Sequence, residues 1–294
     1  MSDSSQTVQG SHERQMRTVR TINRSLWSLA ALGASLFPVS GALAAGFGQP
    51  VPWEMSRQVQ VTENGRDILS FEVGLHWLSL AISVFVLGLI LWCIFRFGEK
   101  RNPTPSRTTH NTAIEIAWTI VPVLILVAVA IPSFRLLRTQ LSDPKADMIV
   151  KVIGHAWYWS YEYPQTENGG GFTFDANIDE DKQPRLLQTD NEMVVPVGKI
   201  VKIQVTAADV LHSWAMPAFG FKIDAVPGRL NQMWFQADKE GTFHGQCSEL
   251  CGQRHAYMPI VVRVVSEQAY ADWLKEAKTK YARIDNGTSF AEAR

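Results

Sequence analysis

The sequence contains only three cysteines among 294 residues, fewer than a disulfide-stabilised secreted domain carries. It has no Cys-x-x-Cys-His motif, so the attachment signal of a c-type haem is missing. It also lacks an excess of charge of either sign, because 28 basic side chains balance 28 acidic ones. A nucleic-acid partner, which would require a strongly basic surface, is therefore not expected.

Charged residues are also absent from two long stretches, 73–95 and 116–134. At the helical rise per residue these stretches extend about 35 Å and about 28 Å, enough to cross the hydrocarbon core of a bilayer. Basic residues follow the first stretch, and positive charge near the end of a span marks the cytoplasmic side. The pattern predicts a transmembrane hairpin with helices over about 70–97 and 112–137.

The first 45 residues have the composition of an export signal. A basic lead is followed by an uncharged stretch that ends in small residues, Ala42 to Ala45, as a signal peptidase requires. The competing interpretation is a third membrane helix, but the apolar core over 26–37 is short for spanning a bilayer. Export would place both the mature N terminus and the C-terminal half outside the cytoplasmic membrane. The expected order is a signal over 1–45, the hairpin over 46–138, a β-domain over 139–266, and a helix and tail over 267–294.

From about Asp143 the hydrophobic pattern changes to a period of two, which is typical of β-strands. Turn residues separate the predicted strands, which are Met148–Ile153, Met193–Val195, Lys199–Val205, Asn231–Ala237 and Pro259–Val265. Several short strands with no long helix between them predict a β-sandwich or Greek-key barrel. The fold class is therefore an α+β membrane protein, with an N-terminal two-helix transmembrane hairpin followed by a C-terminal all-β, cupredoxin-like Greek-key domain.

Soft metal ligands are concentrated in one short segment, which holds Cys247, Cys251, His255 and Met258. Two thiols, an imidazole and a thioether favour copper over hard ions, which prefer oxygen ligands. One electron-transfer copper needs a single cysteine, so the second cysteine suggests two metals that share both sulfurs. A second imidazole must come from elsewhere, and His212, just after a strand-like run, is the best candidate.

The same residues allow three other interpretations. Two cysteines four positions apart could form a disulfide in an oxidising compartment, although a disulfide gives no role to the neighbouring histidine and methionine. A structural zinc site would use four tetrahedral ligands and rarely includes methionine. A membrane-tethered copper carrier would also present a Cys-x3-Cys pair, but such carriers keep their histidine far from the cysteines, whereas His255 follows Cys251 closely.

Longer motifs carry a family resemblance. Cys-Ser-Glu-Leu-Cys-Gly-x-x-His-x-x-Met-Pro over 247–259, with Val-Leu-His-Ser-Trp over 210–214, resembles subunit II of the cytochrome c oxidases. Further motifs over 154–163 and 224–232 extend the resemblance. Together with the hydrophobic pair, it covers the chain from about residue 55 to 275.

The resemblance implies an electron-input subunit of a proton-pumping haem–copper oxidase, with oxygen reduced to water on another chain. It implies a binuclear copper A centre with both thiolates bridging, bound by His212, Cys247, Cys251, His255, Met258 and the backbone carbonyl of Glu249. The side chain of Glu249 would bind a magnesium ion shared with the large haem-bearing subunit. The quinol-oxidising branch of the family lacks the copper cysteines, so both cysteines count against that branch.

The resemblance also assigns roles outside the copper centre. Trp157, in an aromatic-rich run that by composition alone indicates packing, would receive electrons from cytochrome c. Glu115 would lie at the mouth of a proton path, accompanied by His110, whereas its position alone favours a helix N-terminal acid stabilised by the macrodipole. Acidic residues would guide the lysine-rich face of cytochrome c, and these are Glu162, Asp175, Asp190 and Asp209.

These assignments place the chain in the inner (cytoplasmic) membrane of a bacterium, with its copper domain in the periplasm. The expected partners are cytochrome c, the large haem-bearing catalytic subunit and other oxidase subunits. The alternative function is a membrane-tethered copper carrier for oxidase assembly. That alternative predicts reversible release of copper and a redox-active dithiol.

Overall fold

The computed structural model of the chain describes residues 48–49, 51, 53–54, 57–165 and 170–281. The predicted export signal over 1–45 and the polar tail after residue 281 lie outside the described residues. Within the described part, two long helices are followed by ten strands and a C-terminal helix.

Helices α1 (Glu63–Phe97) and α2 (Thr112–Gln140) are long and apolar enough to cross a membrane. Helix α1 begins before the predicted start near residue 70, because the hydroxyl of Thr62 caps it by accepting a hydrogen bond from the Gly65 amide at 2.9 Å. At 1.5 Å per residue the helix extends about 52 Å, against a hydrocarbon thickness of about 30 Å. Its first turns are therefore polar, and a search for uncharged residues could not detect them.

The β-domain consists of two packed sheets and a hairpin. Its strands are β1 (Met148–His155), β2 (Tyr158–Tyr163), β3 (Phe172–Ala176), β4 (Met193–Pro196), β5 (Ile200–Ala207), β6 (His212–Met216), β7 (Phe221–Ala225), β8 (Asn231–Gln236), β9 (Gly241–Gln246) and β10 (Pro259–Val265). One sheet has the order β3-β2-β1-β5-β8, the second has the order β4-β10-β9, and β6 pairs with β7. The pairs β1–β5 and β4–β10 are parallel and the others are antiparallel. This arrangement confirms the predicted fold class.

Each predicted strand is present, but β2, β3, β6, β7 and β9 were not predicted. Strand β6 is buried at every position, so it shows no alternation of apolar and polar residues. Strand β9 contains Gly241 and Gly245, which weaken any strand pattern. The segment with the predicted copper ligands therefore connects β9 to β10, rather than following the strand near residue 237.

The start of α1 is attached to the β-domain through the turn that follows β6. The Thr62 hydroxyl donates to the carbonyl of Phe219 at 2.8 Å, and the Val61 amide donates to the carbonyl of Ala218 at 2.9 Å. The amide of Asp238 donates in turn to the Val61 carbonyl at 2.9 Å. These bonds link the first membrane helix directly to two connections of the β-domain.

Aromatic side chains on one face of β2 fill the core beside the predicted site. Trp159, Tyr161 and Tyr163 are each no more than 3% exposed. The C-terminal helix α3 (Glu267–Lys280) covers one end of this row, with the Trp273 ring centroid 5.2 Å from that of Tyr163. The other end of the row, at Trp159, lies against the predicted copper ligands.

Candidate metal centre

The connection between β9 and β10 brings four predicted ligands together. Cys247 directly follows β9 and Met258 directly precedes β10, and the Cys247 amide donates to the Met258 carbonyl at 3.4 Å. The neighbouring residues Gln246 and Pro259 are paired in the sheet. Because both ends of the connection are held by paired strands, the ligands between them are confined to one small volume.

The two thiols of the connection are free and close together. The Sγ atoms of Cys247 and Cys251 are 3.9 Å apart, whereas a disulfide requires about 2.05 Å. The disulfide interpretation therefore does not describe this structure. Two sulfurs at this separation could both bind the same metal ion.

Each thiol lies beside one imidazole. His212 Nδ1 is 4.0 Å from Cys247 Sγ, and His255 Nδ1 is 3.5 Å from Cys251 Sγ. The ligand atoms of His212, Cys247 and Cys251 all lie within 4.8 Å of one another. Strand β6 supplies His212 from the neighbouring hairpin, so the structure joins a residue 35 positions away in sequence to the connection.

Two further soft or neutral donors complete the group. Met258 Sδ is 3.5 Å from Cys251 Sγ, and the carbonyl of Glu249 accepts from the Cys247 thiol at 3.3 Å. Met258 is 1% exposed and the two cysteines are 6% and 7% exposed, so water is largely excluded. Buried thiolate, imidazole and thioether donors fit a soft or borderline metal such as copper.

Burial also controls the protonation of the Cys251 thiol. Burial, followed by the charge of Cys247, raises the pKa of the Cys251 thiol to about 12. Without a metal the thiol is therefore protonated at neutral pH. A bound cation reverses this balance, because a coordinating thiol gives up its proton.

Asp209 fixes the orientation of the His212 ring. His212 Nε2 donates to Asp209 Oδ1 at 2.8 Å, and Nδ1 is turned towards Cys247. Burial raises the pKa of the Asp209 carboxyl, but hydrogen bonds from His212, Val210 and Ala156 outweigh burial and hold the pKa below its usual value. No pattern in the sequence indicates this contact.

Trp159 and Gly154 shape the space around the histidine. The Trp159 ring meets His212 edge-on at a centroid distance of 5.9 Å, and its indole donates to the carbonyl of Met258 at 3.3 Å. A Cβ atom at Gly154 would lie 2.9 Å from His212 Cδ2. One aromatic side chain therefore holds two ligands, and only glycine at position 154 leaves room for the imidazole.

Trp157 connects the surface to the ligand segment. Its indole donates to the carbonyl of Cys251 at 3.2 Å, and the residue is half-buried. A Cβ atom at Gly252 would lie 3.2 Å from Trp157 Cζ2, and Gly252 has a φ of +120°. The glycine lets the ring lie directly against the backbone between Cys251 and His255.

Comparison with known proteins identifies the family. The family profile described as "Cytochrome C oxidase subunit II, periplasmic domain" matches residues 148–265, and the profile of the "transmembrane domain" of the same subunit matches residues 50–136. The chain belongs to the cytochrome c oxidase subunit II family. The resemblance drawn from its motifs is confirmed.

Curated relatives of the subunit II family match over most of their length. "Cytochrome c oxidase subunit 2" of Cereibacter sphaeroides is 51% identical over 230 residues, covering 69% of this chain and 76% of the relative. "Probable cytochrome c oxidase subunit 2" of Rickettsia bellii is 43% identical, covering 81% of this chain and 89% of the relative. The crystal structure of the periplasmic domain of subunit II of Bradyrhizobium japonicum cytochrome oxidase is 59% identical with a TM-score of 0.45, covering 47% of this chain and 98% of that one.

Two of the acids predicted to guide cytochrome c lie near Trp157 in this subunit II chain. Burial lowers the pKa of the neighbouring His155, while the charges of Asp209 and Asp175 act to raise it. The carboxylate of Asp175 accepts a hydrogen bond from the Ser160 hydroxyl at 2.6 Å. These two acids therefore contribute negative potential at His155 and Tyr158, which lie on either side of Trp157 in the sequence.

The other two acids are more strongly engaged within the domain. Glu162 forms an ion pair with Lys151 at 3.2 Å across the β1–β2 pair. Asp190 accepts a hydrogen bond from the amide of Asn177 at 2.8 Å. The lysine offsets the charge of Glu162, so that residue adds less to the negative potential than an unpaired acid would.

Glu115 and His110 lie far from the metal donors, at the end of α2 that faces away from β1. One carboxylate oxygen of Glu115 accepts a hydrogen bond from the amide of Asn111 at 3.1 Å, and the Asn111 side chain caps the helix. Helix α2 has 29 residues and extends about 43 Å. These two residues are therefore separated from the candidate metal donors by the length of α2.

Proposed function

We propose that this chain is the electron-input subunit of a proton-pumping cytochrome c oxidase. It accepts electrons from cytochrome c at a binuclear copper A centre and passes them to haem in the catalytic subunit, where oxygen is reduced to water. The observation that carries the proposal is the convergence of five side-chain donors in a member of the subunit II family, four of them buried (His212, Cys247, Cys251 and Met258) and one partly buried (His255).

The residues of the centre are suited to repeated electron transfer. The thiolates of Cys247 and Cys251 would hold copper, which would supply one-electron oxidation and reduction. His212, His255, Met258 and the Glu249 carbonyl complete the donor set. Because paired strands hold both ends of the connection and Trp159 contacts two of the donors, the donors move little when the charge of the centre changes.

The donor arrangement also bears on the alternative function. A carrier that delivers copper must release it, and release is favoured by exposed, adaptable ligands. Here both cysteines are buried and each has an imidazole within 4.0 Å. This enclosed group supports an electron-transfer centre over a copper carrier.

Two further assignments follow from the proposed role. The side chain of Glu249, partly exposed while its carbonyl faces the thiols, would bind magnesium at the contact with the large subunit. Glu115, with His110, would lie at the cytoplasmic mouth of a proton path that continues in the large subunit. The membrane hairpin and the exported β-domain support the bacterial inner membrane as the location, with the copper centre in the periplasm.

The direct test is to purify the intact oxidase and measure copper and zinc per haem, together with the electron paramagnetic resonance spectrum. The expected result is two copper ions on this chain that share one unpaired electron. A single tightly bound zinc ion would indicate a structural site instead. One labile cuprous ion would indicate the carrier.

Replacing Trp157 with phenylalanine is expected to slow reduction of the centre by cytochrome c while its spectrum is retained. The substitution removes the hydrogen bond to the Cys251 carbonyl, and loss of such an outer contact typically costs about 10- to 100-fold. Stopped-flow reduction measures the rate. The matched control is Trp234→Phe, because the Trp234 indole has no hydrogen-bond partner in the described part of the chain. Equal rates in the two variants would remove Trp157 from the electron path.

Replacing Met258 with leucine is expected to raise the midpoint potential of the centre and to preserve the fold. Leucine has a similar volume, so the cost in stability stays below about 1.5 kcal/mol. Losing a weak donor disfavours the more positive, oxidised form, and a rise of about 60 mV corresponds to a tenfold change in a one-electron equilibrium. A redox titration measures the potential, and Met233→Leu on β8 is the control. An unchanged potential would show that the thioether is not a ligand.

A further inference from the structure

We infer that Asp209 is a positioning residue that ties the electron-input segment to the copper ligand His212, and not chiefly a docking charge for cytochrome c. The inference rests on the function proposed above. Three hydrogen bonds converge on this one carboxylate. Oδ1 accepts from His212 Nε2 at 2.8 Å and from the Val210 amide at 2.6 Å, and Oδ2 accepts from the Ala156 amide at 2.6 Å.

The two carboxylate oxygens have separate partners on separate elements. Oδ1 accepts hydrogen bonds from Val210, which precedes β6, and from His212, the first residue of β6. Oδ2 serves Ala156, in the turn between β1 and β2, directly before Trp157. Trp157 in turn donates from its indole to the carbonyl of Cys251 at 3.2 Å. A continuous set of contacts therefore runs from His212 through Asp209 and Ala156 to Trp157 and Cys251.

This set of contacts holds the electron-input residue at two points. The indole of Trp157 is bound to the backbone of one ligand, and the amide before it is bound to the carboxylate that orients another ligand. A shift of the β1–β2 turn would therefore move the Asp209 carboxylate and change the orientation of His212. A rotation of His212 would likewise displace the turn. Neither contact would be needed if Asp209 only presented charge to a partner protein.

The surroundings of Asp209 differ from those of an ordinary docking acid. Its side chain is 37% exposed, and the three donors fix its rotamer. Asp175 is exposed as well, but the hydrogen bond that its carboxylate accepts from another side chain comes from the Ser160 hydroxyl and not from a candidate metal ligand. The comparison separates the effect of charge, which both acids supply, from the effect of positioning, which only Asp209 supplies.

Two substitutions of Asp209 separate the effect of losing the Ala156 hydrogen bond from the effect of losing all the hydrogen bonds of the carboxylate. An amide in Asp209→Asn can keep an oxygen at the Oδ1 position for His212, but its NH2 group then faces the N–H of Ala156 and that bond is lost. Asp209→Ala loses all three hydrogen bonds. Asp175→Asn removes one negative charge near Trp157 without touching either partner of Asp209, so it reports the effect of charge alone.

The experiment uses the intact oxidase and two readouts. The paramagnetic resonance spectrum and copper content report the orientation of His212. Stopped-flow reduction by cytochrome c, measured at low and at high ionic strength, separates docking from positioning, because salt screens the attraction between exposed charges. For Asp209→Ala we expect an altered spectrum and a loss of about 10- to 100-fold in copper affinity or activity.

For Asp209→Asn we expect a wild-type spectrum but slower reduction that persists at high ionic strength, whereas Asp175→Asn slows reduction only at low ionic strength. The inference is overturned if both Asp209 variants behave like Asp175→Asn, with unchanged spectra and a loss confined to low salt. If Asp209→Ala does not assemble, the salt dependence of reduction in Asp209→Asn and Asp175→Asn still distinguishes positioning from docking charge. Failure of the proposed function looks different, because the wild-type centre itself would then not be reduced by cytochrome c.

Discussion

Replacing Cys251 with serine is expected to abolish the proposed two-copper centre and to reduce cytochrome c oxidation at least about 100-fold, while the membrane hairpin still assembles. The Cys251 sulfur lies 3.9 Å from Cys247 Sγ, 3.5 Å from His255 Nδ1 and 3.5 Å from Met258 Sδ. It is therefore close to three of the other candidate donor atoms. A serine hydroxyl is a harder ligand than a thiolate and does not ionise near neutral pH. It therefore cannot bridge two soft metal ions.

The measurement is the copper-to-haem ratio of the purified oxidase, with its paramagnetic resonance spectrum. Haem content reports assembly of the catalytic subunit independently of this centre. Cys93→Ser is the matched control, because Cys93 is a free cysteine within α1 and far in sequence from the ligands. A wild-type spectrum in the Cys251 variant would exclude a bridging role for that sulfur.

The grouping of four candidate donors between β9 and β10 could be predicted from the sequence because they fall within twelve positions. Cys247, Cys251, His255 and Met258 fall within one connection, and their chemical types alone restrict the metal. His212 could be proposed only because a second imidazole was needed. Its proximity to Cys247 depends on the packing of the β6–β7 hairpin, which no local pattern indicates.

The parts of the fold that could not be predicted are those set by tertiary contacts. Strand β6 is buried on both faces, so its pattern does not alternate, and α1 extends past the bilayer because Thr62 is held by Phe219 of the β-domain. The positioning contacts of Asp209 were likewise not foreseen. A carboxylate in a sequence looks the same whether its oxygens face solvent or three hydrogen-bond donors.

Tertiary contacts at the glycines near the centre also could not be predicted from the sequence. A glycine in a sequence indicates a turn or a close approach, but not which atoms approach. At Gly154 the neighbour is the ring of His212, and at Gly252 it is the ring of Trp157. At Gly245 the neighbour is the backbone of β6, which cannot rotate away as a side chain can.

Replacing Gly245 with alanine is expected to prevent the β-domain from folding around the centre. A Cβ atom at this position would lie 1.9 Å from the carbonyl oxygen of Ala215, so β9 and β6 would have to separate. These two strands carry Cys247 at the end of one and His212 at the start of the other. Forcing the two strands apart would expose core residues to water and separate the candidate ligands. The free energy of unfolding is expected to fall by more than about 4 kcal/mol, which is at the extreme of single substitutions.

The temperature at which the copper spectrum of the purified oxidase is lost measures this effect, together with the yield of assembled subunit. Gly198→Ala is the control, because Gly198 has a φ of +73° and no atom within 4 Å of the added Cβ. Gly198→Ala is therefore expected to lower the free energy of unfolding only through backbone strain, by about 1–2 kcal/mol. If Gly245→Ala assembled and lost its spectrum at the same temperature as Gly198→Ala, close contact between β6 and β9 would not be what holds the two ligand-bearing strands together.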